Sequence, residues 1–106
     1  MQTSPDIKIA SMSDTRSELL CPQCDGENLS HQQVRVFDRN EDAVDVLLTK
    51  VNGNRSVVET LPNDTSDNPS ARRDGLIIDF NCEACGGTSA LLIAQHKGRT
   101  EVGWRW

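Results

Sequence analysis

The chain has 106 residues, of which 36% are hydrophobic, and carries four cysteines, only four aromatic residues and a formal net charge of −5. That length fits one small domain whose apolar content is low for a self-sufficient core, so a cross-link or metal tie is expected. The excess of acid opposes sequence-independent attraction to a nucleic-acid backbone, and no run of about 18 apolar residues is present to span a bilayer.

Residues 1–20 mix Ser, Thr, Asp and Met without sustained periodicity and read as a flexible N-terminal tail. They offer neither the basic start nor the apolar stretch of about 7 residues that a secretory signal requires, so a cytoplasmic location is expected, where thiols stay reduced. Thr15 to Glu18 spells a capping box, but Pro22 would stop a helix after about one turn, and chance in a polar tail is the better account. Leu19 and Leu20 are expected to pack beside the motif that follows.

Cys21-Pro-Gln-Cys24 and Cys82-Glu-Ala-Cys85 contain every cysteine, and each is followed by a pair containing glycine, Asp25-Gly26 and Gly86-Gly87. Two residues between cysteines let both sulfurs reach one ion from a tight turn, and glycine after the second tolerates the backbone that aims amides at the thiolates. Two such knuckles complete a tetrahedron with no open position for water or substrate, so the ion holds a fold and does not act as a Lewis acid. One structural Zn2+ per chain, held by Cys21, Cys24, Cys82 and Cys85, is the expected cofactor, with iron a possible substitute on the same ligands.

Between the knuckles, Gln33 to Arg39 alternates, with Val34 and Val36 on one face and Arg35, Phe37 and Arg39 on the other, as in a half-buried strand. Asn40 to Asp42 reads as a turn. Ala43 to Val51 and Asn54 to Leu61 flank Asn52-Gly53, a hairpin signal for a type I′ turn that would set Leu48 opposite Val57 and Leu47 opposite Val58. Residues 62–74 contain two prolines and little apolar content, and read as a mobile loop. Gly75 to Cys82 alternates again, with Leu76, Ile78 and Phe80 on the face of Cys82 and Ile77, Asp79 and Asn81 on the other. Thr88 to His96 and Thr100 to Trp106 form a last pair around Lys97-Gly98-Arg99, with Val102, Trp104 and Trp106 pointing one way. The expected fold is all-β: a small antiparallel sheet domain over residues 21–106, with about six strands, no helix and a zinc ribbon formed by the two knuckles.

The knuckles at Cys21–Gly26 and Cys82–Gly87 resemble the zinc-ribbon group, and Cys-Pro-x-Cys is similar to its rubredoxin-type knuckles. Members usually place about 15–20 residues between knuckles, whereas 57 (positions 25 to 81) separate Cys24 from Cys82 here. An inserted hairpin and loop is implied. More narrowly, Asn68-Pro69-Ser70, Arg72-Arg73-Asp74-Gly75-Leu76, Cys82-Glu83-x-Cys85-Gly86, Gln95-His96-Lys97-Gly98 and the Trp104 terminus resemble a family of small bacterial and phage proteins that supplies no activity to carry over.

The remaining candidates are binding residues. His31 and His96 are not needed as ligands beside four thiolates. His96, Lys97 and Arg99 surround one turn, and Arg72 and Arg73 stand where an anion contact is plausible, although a solvated turn and a soluble loop explain them as well. Trp104 is expected in the core, and Trp106 as an exposed anchor. No nucleophile and base pair appears, nor a phosphate-binding glycine loop, so no enzyme is indicated. Two functions compete. One is a non-enzymatic binding module presenting Arg72, Arg73, His96, Lys97, Arg99 and Trp106 to a partner, with protein favoured over nucleic acid and no membrane. The other is a rubredoxin-like iron and redox carrier, or an enzyme not recognised from its sequence. A single basic face would form only if the fold gathers Arg35, Arg39, Arg72, Arg73, Lys97, Arg99 and Arg105.

Overall fold

A computed structural model describes residues 1–106. Nine strands follow in chain order: β1 (Thr3–Ser4), β2 (Ile9–Ser11), β3 (Ser17–Leu19), β4 (Leu29–Asp38), β5 (Asp45–Asn52), β6 (Arg55–Pro62), β7 (Gly75–Cys82), β8 (Thr88–His96) and β9 (Arg99–Arg105). The only helical element is a single 3-10 turn, Asn63–Thr65. Seven strands make one antiparallel sheet in the order β1-β9-β8-β7-β4-β5-β6, and β2 and β3 form a separate hairpin. The expected all-β, antiparallel architecture is the one the chain adopts.

The β5–β6 hairpin forms with a different turn from the expected one. Asn52 pairs with Arg55, so the connecting residues are Gly53 and Asn54, and Leu48 faces Glu59 while Leu47 faces Thr60. Of the two, only Gly53 has a positive φ, 62°. Glycine at the first central position suits a type II′ turn, whereas type I′ needs positive φ at both. The correction moves the pairing by two residues, so every side chain keeps its expected face. At the β8–β9 turn both central residues, Lys97 and Gly98, have positive φ, 51° and 76°, as type I′ requires.

Strand β4 begins at Leu29, ahead of the expected start at Gln33, because its pairing with β7 runs down to Leu29↔Cys82. A bulge between His31 and Val34 interrupts that pairing and resets the alternation, so Phe37 and Arg35 share a face with Ile77. On this face Phe37, Val46, Leu48, Ile77 and Ala90 form the core, with Leu61 and Leu92 packed against them. The segment between β6 and β7 crosses the same face and buries Ser66 and Ser70. It is held by its own short-range bonds, Asn68 Nδ2 donating to Asn63 Oδ1 and the Arg73 carbonyl, and by one bond to the sheet, Ser70 Oγ donating to the Gln95 carbonyl at 2.7 Å. Gly75 has no room for a side chain, since a Cβ there would lie 2.2 Å from Asn68 Oδ1.

Residues 1–20 contribute three of the strands. Thr3 pairs with Arg105, Gln2 and Trp106 exchange backbone bonds at 2.7 and 2.9 Å, and Leu20 donates to the Lys8 carbonyl at 3.0 Å. The Thr15–Glu18 capping box makes no helix, for Glu18 lies in β3 opposite Ala10. No helix is long and apolar enough to cross a membrane.

Candidate metal centre

The two knuckles have the same backbone. In the first, Cys21 donates to the Gly26 carbonyl and Asp25 to the Cys21 carbonyl, at 2.8 and 2.9 Å; in the second, Cys82 donates to Gly87 and Gly86 to Cys82, at 2.9 and 2.8 Å. The residue directly after the second cysteine takes the left-handed conformation in both, with φ of 61° at Asp25 and 70° at Gly86. In the first knuckle the strained position is therefore occupied by aspartate, which tolerates that region better than most residues. Gly26 has a different reason to be glycine: a Cβ there would meet Cys24 Sγ at 3.0 Å and the Ala84 Cβ at 3.2 Å. Gly87 mirrors it, with the Gln23 amide 2.8 Å away. Each knuckle thus packs its terminal glycine against the second intervening residue of the other, around an approximate two-fold axis.

That axis runs through the sulfur cluster. Cys21 Sγ lies 4.0 Å from Cys85 Sγ, and Cys24 Sγ lies 3.6 Å from Cys82 Sγ. All four sulfurs fall within 4.8 Å of one another, an arrangement that could hold a metal ion. A tetrahedral ion with metal–sulfur bonds of about 2.3 Å sets its ligands about 3.8 Å apart, so the donor set fits one tetrathiolate centre. A disulfide needs sulfurs at about 2.05 Å, and all four cysteines are free.

Backbone amides are aimed at the thiolates. Gln23 N–H points to Cys21 Sγ, Gly26 N–H to Cys24 Sγ and Gly87 N–H to Cys85 Sγ, each at 3.4 Å. Burial pushes the Cys21 thiol up. At Cys24 the Gly26 N–H favours the thiolate, but desolvation and the neighbouring thiols outweigh it and push this thiol up to about 12. Cys82 is drawn down to about 7, first by the backbone N–H of Cys85. Several negative sulfurs cannot share so small a space without a cation, so an ion entering here displaces protons.

Each knuckle is fixed to the sheet. The second caps the β7–β8 hairpin, since Cys82 ends β7 and Thr88 opens β8. The first is tied in by Gln23, whose Nε2 donates to the Thr88 carbonyl at 2.8 Å and to the buried Ser89 Oγ at 2.9 Å. Behind the centre, Trp104 is 1% exposed and meets Phe80 edge-on with ring centroids 5.8 Å apart.

The other candidates are distributed differently. Arg72 grips Asp42 through two bonds, at 3.1 and 2.8 Å, and also reaches Glu41, while Arg73 pairs with Glu41 at 3.2 Å. The Arg72 guanidinium holds the Asp42 carboxyl below its ordinary range. Arg39 donates to the carbonyls of Ala43 and Ala71. Arg99 lies 4.0 Å from Glu101. Arg73 and Gly98 line one shallow depression, which brings the arginine pair near the His96–Arg99 turn. Trp106 is not part of that group: it follows the far end of β9, at least 7 positions from Arg99 and so about 20 Å away, and shares a second depression with Arg105. The basic residues offer no shared unpaired patch: Arg35 and Arg105, on the loop-covered face, turn to Asp67, while Arg72 and Arg73 are matched by Asp42 and Glu41. His31 lies on β4 opposite Phe80, and His96 closes β8 opposite Arg99.

Sequence reasoning missed Asp67. Its carboxylate takes two bonds from Arg105, at 3.0 and 2.9 Å, and one from Arg35 at 3.2 Å, while Arg35 also approaches Asp79 at 3.8 Å. The Arg105 guanidinium holds the Asp67 carboxyl well below its usual range. The available signal was Arg35 itself, placed by alternation on the face of Phe37 and therefore in need of an acid; nothing in the sequence says which acid.

Comparison with protein-family models, curated proteins and solved structures returns no match. The clustered cysteines, set in an antiparallel sheet, make this a zinc-ribbon-like site.

Proposed function

We propose that the chain is a non-enzymatic binding module whose sheet is closed by one structural zinc, and that it presents a surface to a macromolecular partner in a reducing, cytoplasmic setting. The observation behind this reading is the cluster of four sulfurs within 4.8 Å on two matched knuckles, a donor set that fills a tetrahedron and leaves no position for substrate. Zinc suits four thiolates and tetrahedral geometry without redox activity.

Protein is the favoured partner class. The net charge of −5 opposes a polyanion, and the arginines near the His96–Arg99 turn already have carboxylate partners. The contact would use Arg72, Arg73, His96, Lys97 and Arg99 at one end of the sheet and Trp106 at the other. The test is elemental analysis and absorption of protein purified under reducing conditions. Close to one colourless zinc equivalent per chain is expected. A red iron tetrathiolate that cycles between redox states would replace this reading with an electron carrier, and a folded metal-free chain would remove it.

A further inference from the structure

The sheet face opposite the loop is covered only at its knuckle end. Register places Val102, Ile93, Leu76, Val36, Thr49 and Val58 side by side in one row across six strands, and Leu91, Ile78, Val34 and Val51 in the next. Val36, Leu47, Val51, Val58 and Val102 on this face are each 41–61% exposed. Its only charged side chains are Asp38 and Asp45, both at the end away from the knuckles. In a chain with 25% charged residues, a broad face of branched aliphatics with two charges at its rim is an unsatisfied surface, because antiparallel sheets normally put polar residues on the side they leave to water.

We infer that this face is a homodimer interface, with a second copy of the chain stacked on it sheet to sheet. Six strands about 4.8 Å apart and three rows about 6.8 Å apart, the third carrying Thr100, Gln95, Asp38, Leu47 and Thr60, give a face of about 600 Å2. Two copies would then remove about 1,200 Å2 from water, the size at which stable interfaces begin. Flat faces of Val, Ile and Leu pack on one another at about 10 Å with the strands rotated by about 30°, an arrangement a two-fold axis satisfies with identical surfaces. The charge pattern favours this occupant. A charged partner would find nothing to pair with in the centre, and a lipid surface would meet the acids Asp38 and Asp45 on a chain of net charge −5. A second copy meets the aliphatic rows with its own and leaves Asp38 and Asp45 at the rim.

The experiment is sedimentation equilibrium of the metal-loaded full chain from micromolar to millimolar concentration, at low and high salt. A reversible dimer is expected, no weaker at high salt, since screening relieves repulsion between two acidic chains. Val36→Lys, at the centre of the face, should weaken dimerisation by roughly a hundredfold or more, because it buries an unpaired charge. Val57→Lys, at an exposed valine on the opposite face of the same sheet, should leave the dimer intact. Circular dichroism and metal content identify folded variants, and if Val36→Lys fails to fold, Val58→Lys at the 61% exposed position replaces it. A monomer at every concentration overturns the inference, as does a dimer that survives both lysines on the aliphatic face or is lost equally with Val57→Lys. Binding of monomers to phosphatidylcholine vesicles in place of self-association would also overturn it.

Discussion

The two faces of the sheet reverse the usual assignment of polar and apolar sides. The face beneath the 63–74 segment holds the core and also the charged group Arg35, Asp67, Arg105 and Asp79, whereas the opposite face is aliphatic and largely bare. Alternation along a strand therefore separates two sets of side chains without deciding which set is buried. That depends on what the connections cover. A polar loop covers the mixed face because its Ser, Asn and Asp side chains satisfy their own backbone and reach the two arginines, so it brings few unpaired groups with it.

The strongest way to break the comparison is to remove the tie between the two knuckles, at the one end where the aliphatic face is covered. Cys82→Ser, or a chelator, should abolish metal binding and cooperative thermal unfolding, because structural zinc contributes on the order of 10–16 kcal/mol against a total stability of about 5–15 kcal/mol. Calorimetry checks it. A variant that melts like the parent would mean the sulfur cluster is not structural.

Next in size is a paired truncation on opposite faces, at Phe37 of β4 and Val58 of β6. Phe37→Ala, at a residue 0% exposed, should cost about 3–5 kcal/mol by urea denaturation. Val58→Ala on the bare face, 61% exposed, should change monomer stability by less than about 0.5 kcal/mol. Comparable losses from the two would show that the faces are equally buried.

Asp67→Asn sharpens the comparison on the covered side. It removes the charge that meets Arg35 and Arg105, and with Asp67 46% exposed the expected cost is about 1–2 kcal/mol after solvent screening. Since the folded-state carboxyl is held low, this contribution is complete above the ordinary carboxylate range and is lost as pH falls through the lowered value. The acid limb of the stability profile should be shallower in Asp67→Asn than in the parent. An unchanged limb would assign the loop's position to its serine and asparagine bonds alone.

The smallest expected effect is Arg72→Ala with Arg73→Ala. Both arginines sit on exposed carboxylates, so melting should shift little. If captured protein partners are lost while the fold stays intact, the loop end is a contact surface; unchanged binding, also after Lys97→Ala with Arg99→Ala, would exclude it.

Much of this was legible in the chain. The spacing of four cysteines and the alternation of Leu76, Ile78 and Phe80 against Ile77 depend on local geometry, and local geometry is written in adjacent residues. The register of the β5–β6 hairpin was misplaced because Asn52-Gly53-Asn54 suits two turns, a type I′ turn with positive φ at both Asn52 and Gly53 and a type II′ turn with positive φ at Gly53 alone. The role of Asp67 was not legible at all, since its partners lie 32 and 38 positions away. The same holds for the pairing of residues 2–4 beside β9. It joins the two ends of the chain through backbone groups, with no side-chain pattern to announce it.

The sheet order has a consequence for how the molecule opens. Strand β6 is joined to β5 alone and only Leu61 on it is shielded, while the sulfur cluster sits at the ends of β7 and β8. The β5–β6 hairpin is thus an outboard unit, able to detach without disturbing a single thiolate. Amide exchange should therefore grade across the sheet, fastest along β6 and slowest at β7 and β8. In the partly opened form the four sulfurs would keep an ion they hold while Phe37 and Ile77 meet water, so loss of the core and loss of the ion should be separable events.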